Sequence, residues 1–123
     1  MKTFKDVYDL PFKLDSYIGW VYDANENFAF EFEIAPKEAR KKFLNVINST
    51  TREVSQHAGH FYHKDGYIYN GNLQDSNDND IAIILIRGWG NLTGTGGMNL
   101  PAEEAANIQN TLAEYIVRQL NKK

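Results

Sequence analysis

The sequence predicts an α+β domain, with a mainly antiparallel twisted sheet of about five strands and two helices packed on one of its faces. Two segments alternate apolar and polar residues as hairpins do, one segment is an unbroken apolar run, and two segments repeat apolar residues at helical spacing. Their order along the chain is ββ-α-ββ-β-α. At 123 residues, the chain is long enough for one domain, and we assign residues 1–123 to it.

The first half of the chain predicts a hairpin and a helix. Along Ser16–Glu33 aromatic residues alternate in both arms, and the polar turn Asp23–Asn27 joins them. Tyr8–Leu14 alternates before this hairpin, and its proline favours an edge strand. Pro36–Asn48 predicts the first helix, because a proline at the first helical position lacks an N–H that is not needed there.

The second half predicts another hairpin, a buried strand and a longer helix. His57–Asn70 surrounds an Asp-Gly turn, which is a strong hairpin signal. Gly71–Asn79 is polar and predicts a surface loop, whereas Ile81–Ile86 predicts a central strand covered on both faces. Pro101–Leu120 predicts the second helix. The two helices begin with similar residues. We interpret this similarity as two helices that start in the same way, not as a duplicated strand–helix unit.

The composition excludes several classes of function. The chain has 13 basic and 16 acidic side chains, and a net charge of −3 argues against general nucleic-acid binding. Without cysteine, a disulfide scaffold, a thiolate zinc site and a cysteine nucleophile are excluded. No apolar run resembles a membrane span or a secretory signal, so we expect a cytoplasmic protein that does not bind membranes. No cofactor is predicted.

The candidate ligand site is the glycine-rich turn Arg87–Gly97, which holds five of the nine glycines. A turn between a strand and a helix presents backbone N–H groups to phosphate or carboxylate, and an arginine adds a bidentate partner. Neither nucleotide-binding fingerprint is present. The alternative is a structural turn with glycines at positive φ. The predicted ligand-binding residues are Arg87, Trp89, Asn91, Thr93 and Thr95.

The three histidines of the chain, His57, His60 and His63, are weak candidates for a metal site. Residues three apart on a strand point to opposite faces, so we predict no metal site there. The same segment is the basis of an alternative function, in which a small hydrolase uses a histidine as the base and the glycine-rich turn as an oxyanion site.

Two groups of acidic residues have simpler interpretations. Asp75–Asp80 spaces its oxygen ligands like a calcium loop, but Asp80 and Ile86 stand where that loop needs glycine and glutamate. Glu31 and Glu33 share one face of a strand, but acid–base catalysis needs an opposing carboxylate that we cannot identify. We interpret both groups as solvated surface.

Aromatic residues make up 13% of the chain, a high share for a small domain. Strands favour aromatic residues, and a small core also uses them, so we expect the phenylalanines to be buried. Tyrosine and tryptophan are enriched at interfaces. A surface for a ligand or partner chain is therefore the open alternative for Trp20, Tyr22, Tyr62, Tyr67 and Tyr69.

The C-terminal third carries the segment Ile86–Gly94, Gly97, Asn99–Pro101, Glu103–Ala106 and Ile108–Gln109. This segment resembles a group of small uncharacterised proteins of bacteria and their mobile elements. The resemblance implies a bacterial protein, and it implies no activity, cofactor or catalytic residue.

The favoured function is a non-enzymatic binding module, which holds a small molecule or a protein partner on the turn 87–97 and the neighbouring aromatic residues. The small hydrolase is one alternative. The other is an oligomeric structural protein that pairs copies through exposed strand edges or through the aromatic face.

Overall fold

The computed structural model describes residues 1–15, 18–49, 60–86 and 99–121, which adopt an α+β architecture. In chain order the elements are α1 (Phe4–Val7), β1 (Lys13–Leu14), β2 (Trp20–Tyr22), β3 (Phe28–Phe32), α2 (Lys37–Ile47), β4 (Phe61–Lys64), β5 (Tyr67–Gln74), β6 (Asp80–Leu85) and α3 (Ala102–Leu120). The strands form one antiparallel sheet in the order β1-β2-β3-β6-β5-β4. The predicted fold class and antiparallel sheet are confirmed.

Several elements differ in detail from the prediction. The described residues form six strands rather than about five, because the short edge strand β1 joins the sheet, and they include the unpredicted helix α1. Strand β5 continues to Gln74, where we predicted a loop, because the Gly71 N–H donates to the His60 carbonyl at 2.6 Å and Gln74 pairs with Asp80. Pro36 and Pro101 cap α2 and α3 rather than starting them.

One face of the sheet, the inner face, packs with the helices around a single hydrophobic core. Buried side chains of the strands and of both long helices belong to one cluster, and Phe43 of α2 packs edge-on against Phe61 of β4 at 5.8 Å. Burying each large apolar side chain stabilises the fold by about 1.5–3 kcal/mol. The fully buried members include Val21, Phe30, Ile47, Ile68, Ile84, Ile108, Leu112 and Ile116.

The sheet consists of two similar halves. Strands β1, β2 and β3 are followed by α2, and strands β4, β5 and β6 are followed by α3. Because the sheet order is β1-β2-β3-β6-β5-β4, β3 and β6 are neighbours at the centre and β1 and β4 are the two edges. We call these halves the first and second βββα units. The two units meet at these central strands, where Glu31 pairs with Leu85.

The strand register repeats between the two units. In the first, Trp20, Val21 and Tyr22 pair with Glu31, Phe30 and Phe28, with an irregularity between the last two pairs. In the second, Tyr67, Ile68 and Tyr69 pair with Leu85, Ile84 and Ala82, with the irregularity at the same step. Each irregularity is a one-residue bulge, which locally changes the alternation of side chains. We predicted that the β6 segment lacks alternation because both its faces are covered, but the outer face carries half-buried residues, and the bulge explains the pattern instead.

The edge of each unit is closed by an asparagine at the end of its helix. Asn48, the C-cap of α2, accepts a hydrogen bond from the Phe12 N–H and donates one to the Phe12 carbonyl, both at 2.9 Å. Asn121, the C-cap of α3, does the same with Phe61 at 2.9 and 2.8 Å. Each amide takes the place that a neighbouring strand would occupy. We call these pairs the asparagine clamps.

The hairpin of each unit ends in the same kind of loop. Asp23 Oδ1 accepts hydrogen bonds from the backbone N–H groups of Asn25 and Asn27 at 2.9 and 2.8 Å. Asp75 Oδ1 accepts from the N–H groups of Asn77 and Asn79 at 2.8 and 3.1 Å. The two sequences, Asp-Ala-Asn-Glu-Asn and Asp-Ser-Asn-Asp-Asn, form this loop because aspartate hydrogen-bonds the backbone just after it. We interpreted the similar openings of the two helices as unrelated. The strand register, the hairpin loops and the asparagine clamps instead correspond between the two units.

Candidate functional site

The face of the sheet opposite the inner face, the outer face, carries the aromatic residues that the sequence proposed for a surface. Trp20 and Tyr22 of β2 lie on it because they flank Val21, which points into the core. Tyr67 and Tyr69 of β5 likewise flank the buried Ile68, and Tyr62 of β4 pairs with Tyr69. Trp20 and Tyr62 each keep 39% of their surface exposed. The outer face therefore presents rings from strands of both units.

The aromatic cluster of the first unit contains a residue that sequence reasoning placed in the core. Phe28 packs edge-on against Trp20 at 5.4 Å and against Tyr22 at 5.8 Å. The bulge in β3 puts Phe28 on the outer face, although Phe30 and Phe32 two and four positions later are buried. A bulge leaves no clear mark in a single hydrophobicity pattern, so only the structure reveals this ring.

The aromatic cluster of the second unit is tied together by a hydrogen bond. Tyr62 stacks on Tyr69 with ring centroids 5.3 Å apart and planes inclined by 20°. The Tyr62 hydroxyl donates to Asp80 Oδ2 at 2.5 Å, and Gln74 Nε2 donates to the other oxygen of Asp80 at 2.8 Å. The bond from the hydroxyl to Asp80 raises the pKa of Tyr62 to about 12, and the same bond lowers the pKa of Asp80.

A groove of about 400 Å³ lies beside the first cluster, and we call it the edge groove. Its lining combines the Tyr22 ring with charged side chains of both signs, and the lining residues are Lys13, Leu14, Asp15, Tyr22 and Glu26. Lys13 and Tyr22 are direct cross-strand partners, and Lys13 Nζ donates to the Ala24 carbonyl at 3.2 Å. This volume lies within the range of small-ligand sites, which combine apolar surface with a few polar groups. Of these five residues, only Tyr22 is a candidate binding residue from its sequence pattern.

The predicted ligand-binding residues of the glycine-rich turn, Arg87, Trp89, Asn91, Thr93 and Thr95, lie outside the described residues. Strand β6, which precedes this segment, ends at Leu85, one residue before the predicted end, and the Ile86 N–H donates to the Gly66 carbonyl at 2.7 Å. The helix that follows it begins at Ala102, after Pro101. The assignment of these five residues to a ligand stays a prediction.

The two described histidines lie at β4 and do not meet on one side of it. His63 Nε2 accepts a hydrogen bond from the Gly66 N–H at 3.2 Å within the turn between β4 and β5, and His60 is exposed just before β4. His57 lies outside the described residues. Within the described ranges, no group of three histidine, aspartate or glutamate side chains is placed to hold a metal ion. The hydrolase alternative needs the undescribed His57 segment or turn, and it stays a prediction.

The acidic residues in the two groups described above lie in different environments. Asp75 organises the loop of the second unit, and Asp80 is held by Tyr62 and Gln74. Glu31 stands on the outer face between Trp20 and Leu85, and Glu33 is exposed. Asp75 thus closes a hairpin, and Asp80 and Glu31 border the aromatic residues of the outer face.

Comparison of the chain with known protein families, with curated proteins and with solved structures gives no significant match. The resemblance of the C-terminal segment to small bacterial proteins stays a prediction. In the part of the chain that the structure describes, no helix combines the length and the apolar character needed to cross a bilayer. The geometry of the outer face is therefore the basis for any functional argument.

Proposed function

We propose that this protein is a non-enzymatic binding module whose recognition surface is the outer face of the sheet. The observation that carries the proposal is the pair of aromatic clusters, one in each βββα unit, on the face opposite the packed helices. We also propose that the protein works in the cytoplasm, without a cofactor and without binding nucleic acid or membranes. The partner is a small molecule or another protein.

The residue types on the outer face favour a role in binding a partner, beyond any role in stabilising the fold. Trp and Tyr are the residue types that contribute most often to binding hot spots, because they bury much area while losing few rotatable bonds. Trp20 and Tyr62 keep large exposed fractions, whereas the aromatic residues of the inner face are almost fully buried. Covering a partly exposed ring on binding removes apolar surface from water and stabilises a complex.

The edges of the sheet are less suited to recognition than its face. An open edge binds other strands through unpaired N–H and C=O groups. The asparagine clamps already pair the backbone groups of Phe12 and Phe61. An oligomer formed by adding strands at these positions would have to break a clamp. If copies of the chain associate, we expect them to use the outer face.

The glycine-rich turn 87–97 remains a second part of the proposed surface. Strand β6 leads into this turn from the centre of the sheet, next to β3. If the turn holds a ligand, Arg87→Ala or Trp89→Ala should abolish binding and leave the fold intact. Global unfolding of these variants would instead indicate a structural turn.

Native mass spectrometry of the untagged protein, purified from the cells that encode it, tests the proposed surface. We expect the wild-type protein to carry a bound molecule or a partner chain. The double variant Trp20→Ser/Tyr67→Ser should lose at least nine-tenths of this species, because it removes one ring from each cluster. The spectra of folded samples, checked by circular dichroism, give the measurement.

The matched control is Lys41→Ser/Glu114→Ser, which changes two exposed side chains on α2 and α3 and leaves the net charge unchanged. It should retain the bound species. Equal retention by both double variants would contradict recognition by the outer face. Loss in both would place recognition on both faces of the molecule and would also contradict the proposal.

A further inference from the structure

We propose that the edge groove binds an aromatic ring that carries a hydroxyl group, a phenol, stacked on Tyr22 and hydrogen-bonded to Glu26. This inference rests on the proposed function and gives the binding surface a site and a ligand chemistry. The phenol belongs to a free small molecule or to a tyrosine side chain of a partner polypeptide. In the second βββα unit a side chain of the protein itself, Tyr62, occupies the comparable place.

The register defines which residues of the two units correspond. Tyr22 pairs with Phe28 after the first bulge, and Tyr69 pairs with Ala82 after the second, so Tyr22 corresponds to Tyr69. On the edge strands, Lys13 pairs with Tyr22 as Tyr62 pairs with Tyr69. Lys13 therefore stands where the second unit has Tyr62.

Each unit also has a carboxylate near its tyrosine, but from a different position: in the matched loops Glu26 corresponds to Asp78, whereas Asp80 is the first residue of β6. Asp80 accepts the hydrogen bond from the Tyr62 hydroxyl. Glu26 lines the edge groove together with Tyr22. Both units thus place a carboxylate near the hairpin end, beside a tyrosine ring.

The two units differ in whether an aromatic ring of the protein lies between the tyrosine and the carboxylate. In the second unit Tyr62 stacks on Tyr69 at 5.3 Å and fills the place with a phenol. In the first unit no described residue stacks on Tyr22 in this way, and a groove of about 400 Å³ borders it. Lys13, with its ammonium group bonded to the Ala24 carbonyl, flanks this groove instead.

The chemistry of the groove selects a phenol over a plain aromatic ring. Offset or tilted stacking on Tyr22 recognises the ring. A carboxylate accepts a hydrogen bond from a neutral hydroxyl, and hydrogen bonds to charged groups are stronger than those between neutral groups. Lys13, Asp15 and Glu26 give the named lining one positive and two negative charges, so an anionic ligand has less to gain than a neutral one.

Nuclear magnetic resonance titration of the isotope-labelled protein with 4-methylphenol tests the inference. We expect the backbone signals of Tyr22, Leu14 and Glu26 to shift, while those of Tyr69 stay unchanged. The comparison ligand 4-methylanisole has the same ring but no hydroxyl donor, and it should bind at least about fivefold more weakly. Shifts that are equal for the two ligands, or that centre elsewhere on the protein, would overturn the inference.

Two variants at one position make the test specific. Lys13→Tyr supplies the ring that Tyr62 supplies in the second unit, so it should fill the groove and weaken 4-methylphenol binding at least tenfold. Lys13→Gln removes the charge but adds no ring, and it should keep affinity within about threefold of the wild type. Retained binding in the folded Lys13→Tyr variant would contradict a site at this position.

A second ligand distinguishes the two sources of the phenol. N-acetyl-tyrosine-methylamide carries the same ring on a short backbone. Binding as tight as that of 4-methylphenol indicates a groove that accepts a tyrosine of a polypeptide, and binding of 4-methylphenol alone indicates a free small molecule. If 4-methylphenol fails to bind while the cellular complex still depends on Trp20 and Tyr67, the phenol site is wrong and the proposed function stands. Loss of that dependence overturns the proposed function itself.

Discussion

The two βββα units of this protein share strand order, register and edge contacts, and they differ in length and in the side chains on the outer face. Each has the same strand register, the same bulge, the same hairpin loop and an asparagine clamp at its edge. On the outer face, however, the second unit fills the place beside its tyrosine with Tyr62, and the first leaves a groove. One backbone framework therefore supports both a closed aromatic cluster and an open site.

The largest difference that we expect between the units concerns their loop aspartates. Asp23 is fully buried, and its carboxylate accepts hydrogen bonds from the N–H groups of Asp9, Asn25 and Asn27. Asp75 makes the same local bonds in an exposed loop. Asp23→Ala should lower the free energy of unfolding by about 3 kcal/mol, since it empties a fully buried site and leaves three part-buried N–H groups without their partner.

Asp75→Ala is the matched control, because water replaces the lost partners of an exposed loop. Its cost should be about 1 kcal/mol or less. Urea unfolding followed by circular dichroism measures both values. Equal losses in the two variants would show that the two loops contribute alike in spite of their different burial, contrary to this prediction.

The asparagine clamps should contribute equally to the two units. Asn48→Ala and Asn121→Ala each remove two hydrogen bonds to the backbone of an edge phenylalanine. We expect each to lower the free energy of unfolding by about 1–3 kcal/mol. The exposed Asn45 and Asn110 provide controls on the same helices, and their alanine variants should change stability by less than about 0.5 kcal/mol.

The Asn48 and Asn121 variants also expose an edge of the sheet. Sedimentation of the folded proteins should show more self-association than the wild type, because a freed edge pairs with other strands. If one clamp variant behaves like the wild type in both assays, the clamps are not equivalent.

The hydrogen bond between Tyr62 and Asp80 predicts that the stability of the protein depends on pH. The pKa of Tyr62 rises from the ordinary value of 10.0 to about 12, so its contribution to stability is complete below pH 10 and is lost as the pH rises towards 12. The pKa of Asp80 is lowered, so its contribution is present above its ordinary value of 3.8 and is lost as the pH falls below it. The bond therefore stabilises the fold between these two limits.

Titration of the Tyr62 ring carbon by nuclear magnetic resonance measures this effect. Asp80→Asn should bring the pKa of Tyr62 back towards 10, because the amide is a weaker acceptor than the carboxylate. The ring of Tyr115 is a reference on the opposite side, since burial rather than this bond raises its pKa. A Tyr62 pKa that does not change in Asp80→Asn would show that the carboxylate is not its partner.

Periodicity predicted most of the fold. The alternating aromatic residues located β2 and β3, the Asp-Gly turn located β4 and β5, and three- and four-residue spacing located the two long helices. The outer position of Trp20 and Tyr22 also follows from alternation. Periodicity failed at the bulges, where one extra residue moves Phe28 to the outer face and leaves Ile83 and Ile84 both fully buried.

The pairing of the two units could have been suspected from the sequence, but not shown. The two loops, Asp23–Asn27 and Asp75–Asn79, and the two similar helix openings all stand in the chain. Their spacing differs, because the second hairpin and α3 are longer than their counterparts, so no constant repeat length connects them. The edge groove is harder still to predict, since its lining comes from β1, β2 and a turn that only strand pairing brings together.

The most direct test of the correspondence between the units is the exchange of their edge residues, measured as free energy of unfolding. Lys13→Tyr should stabilise the protein by about 0.2–1 kcal/mol, because an aromatic pair replaces a lysine–tyrosine pair across the strands. Tyr62→Lys should destabilise it by a similar amount. Destabilisation by Lys13→Tyr in a folded protein would contradict the claim that the edge groove is the open counterpart of the Tyr62 site.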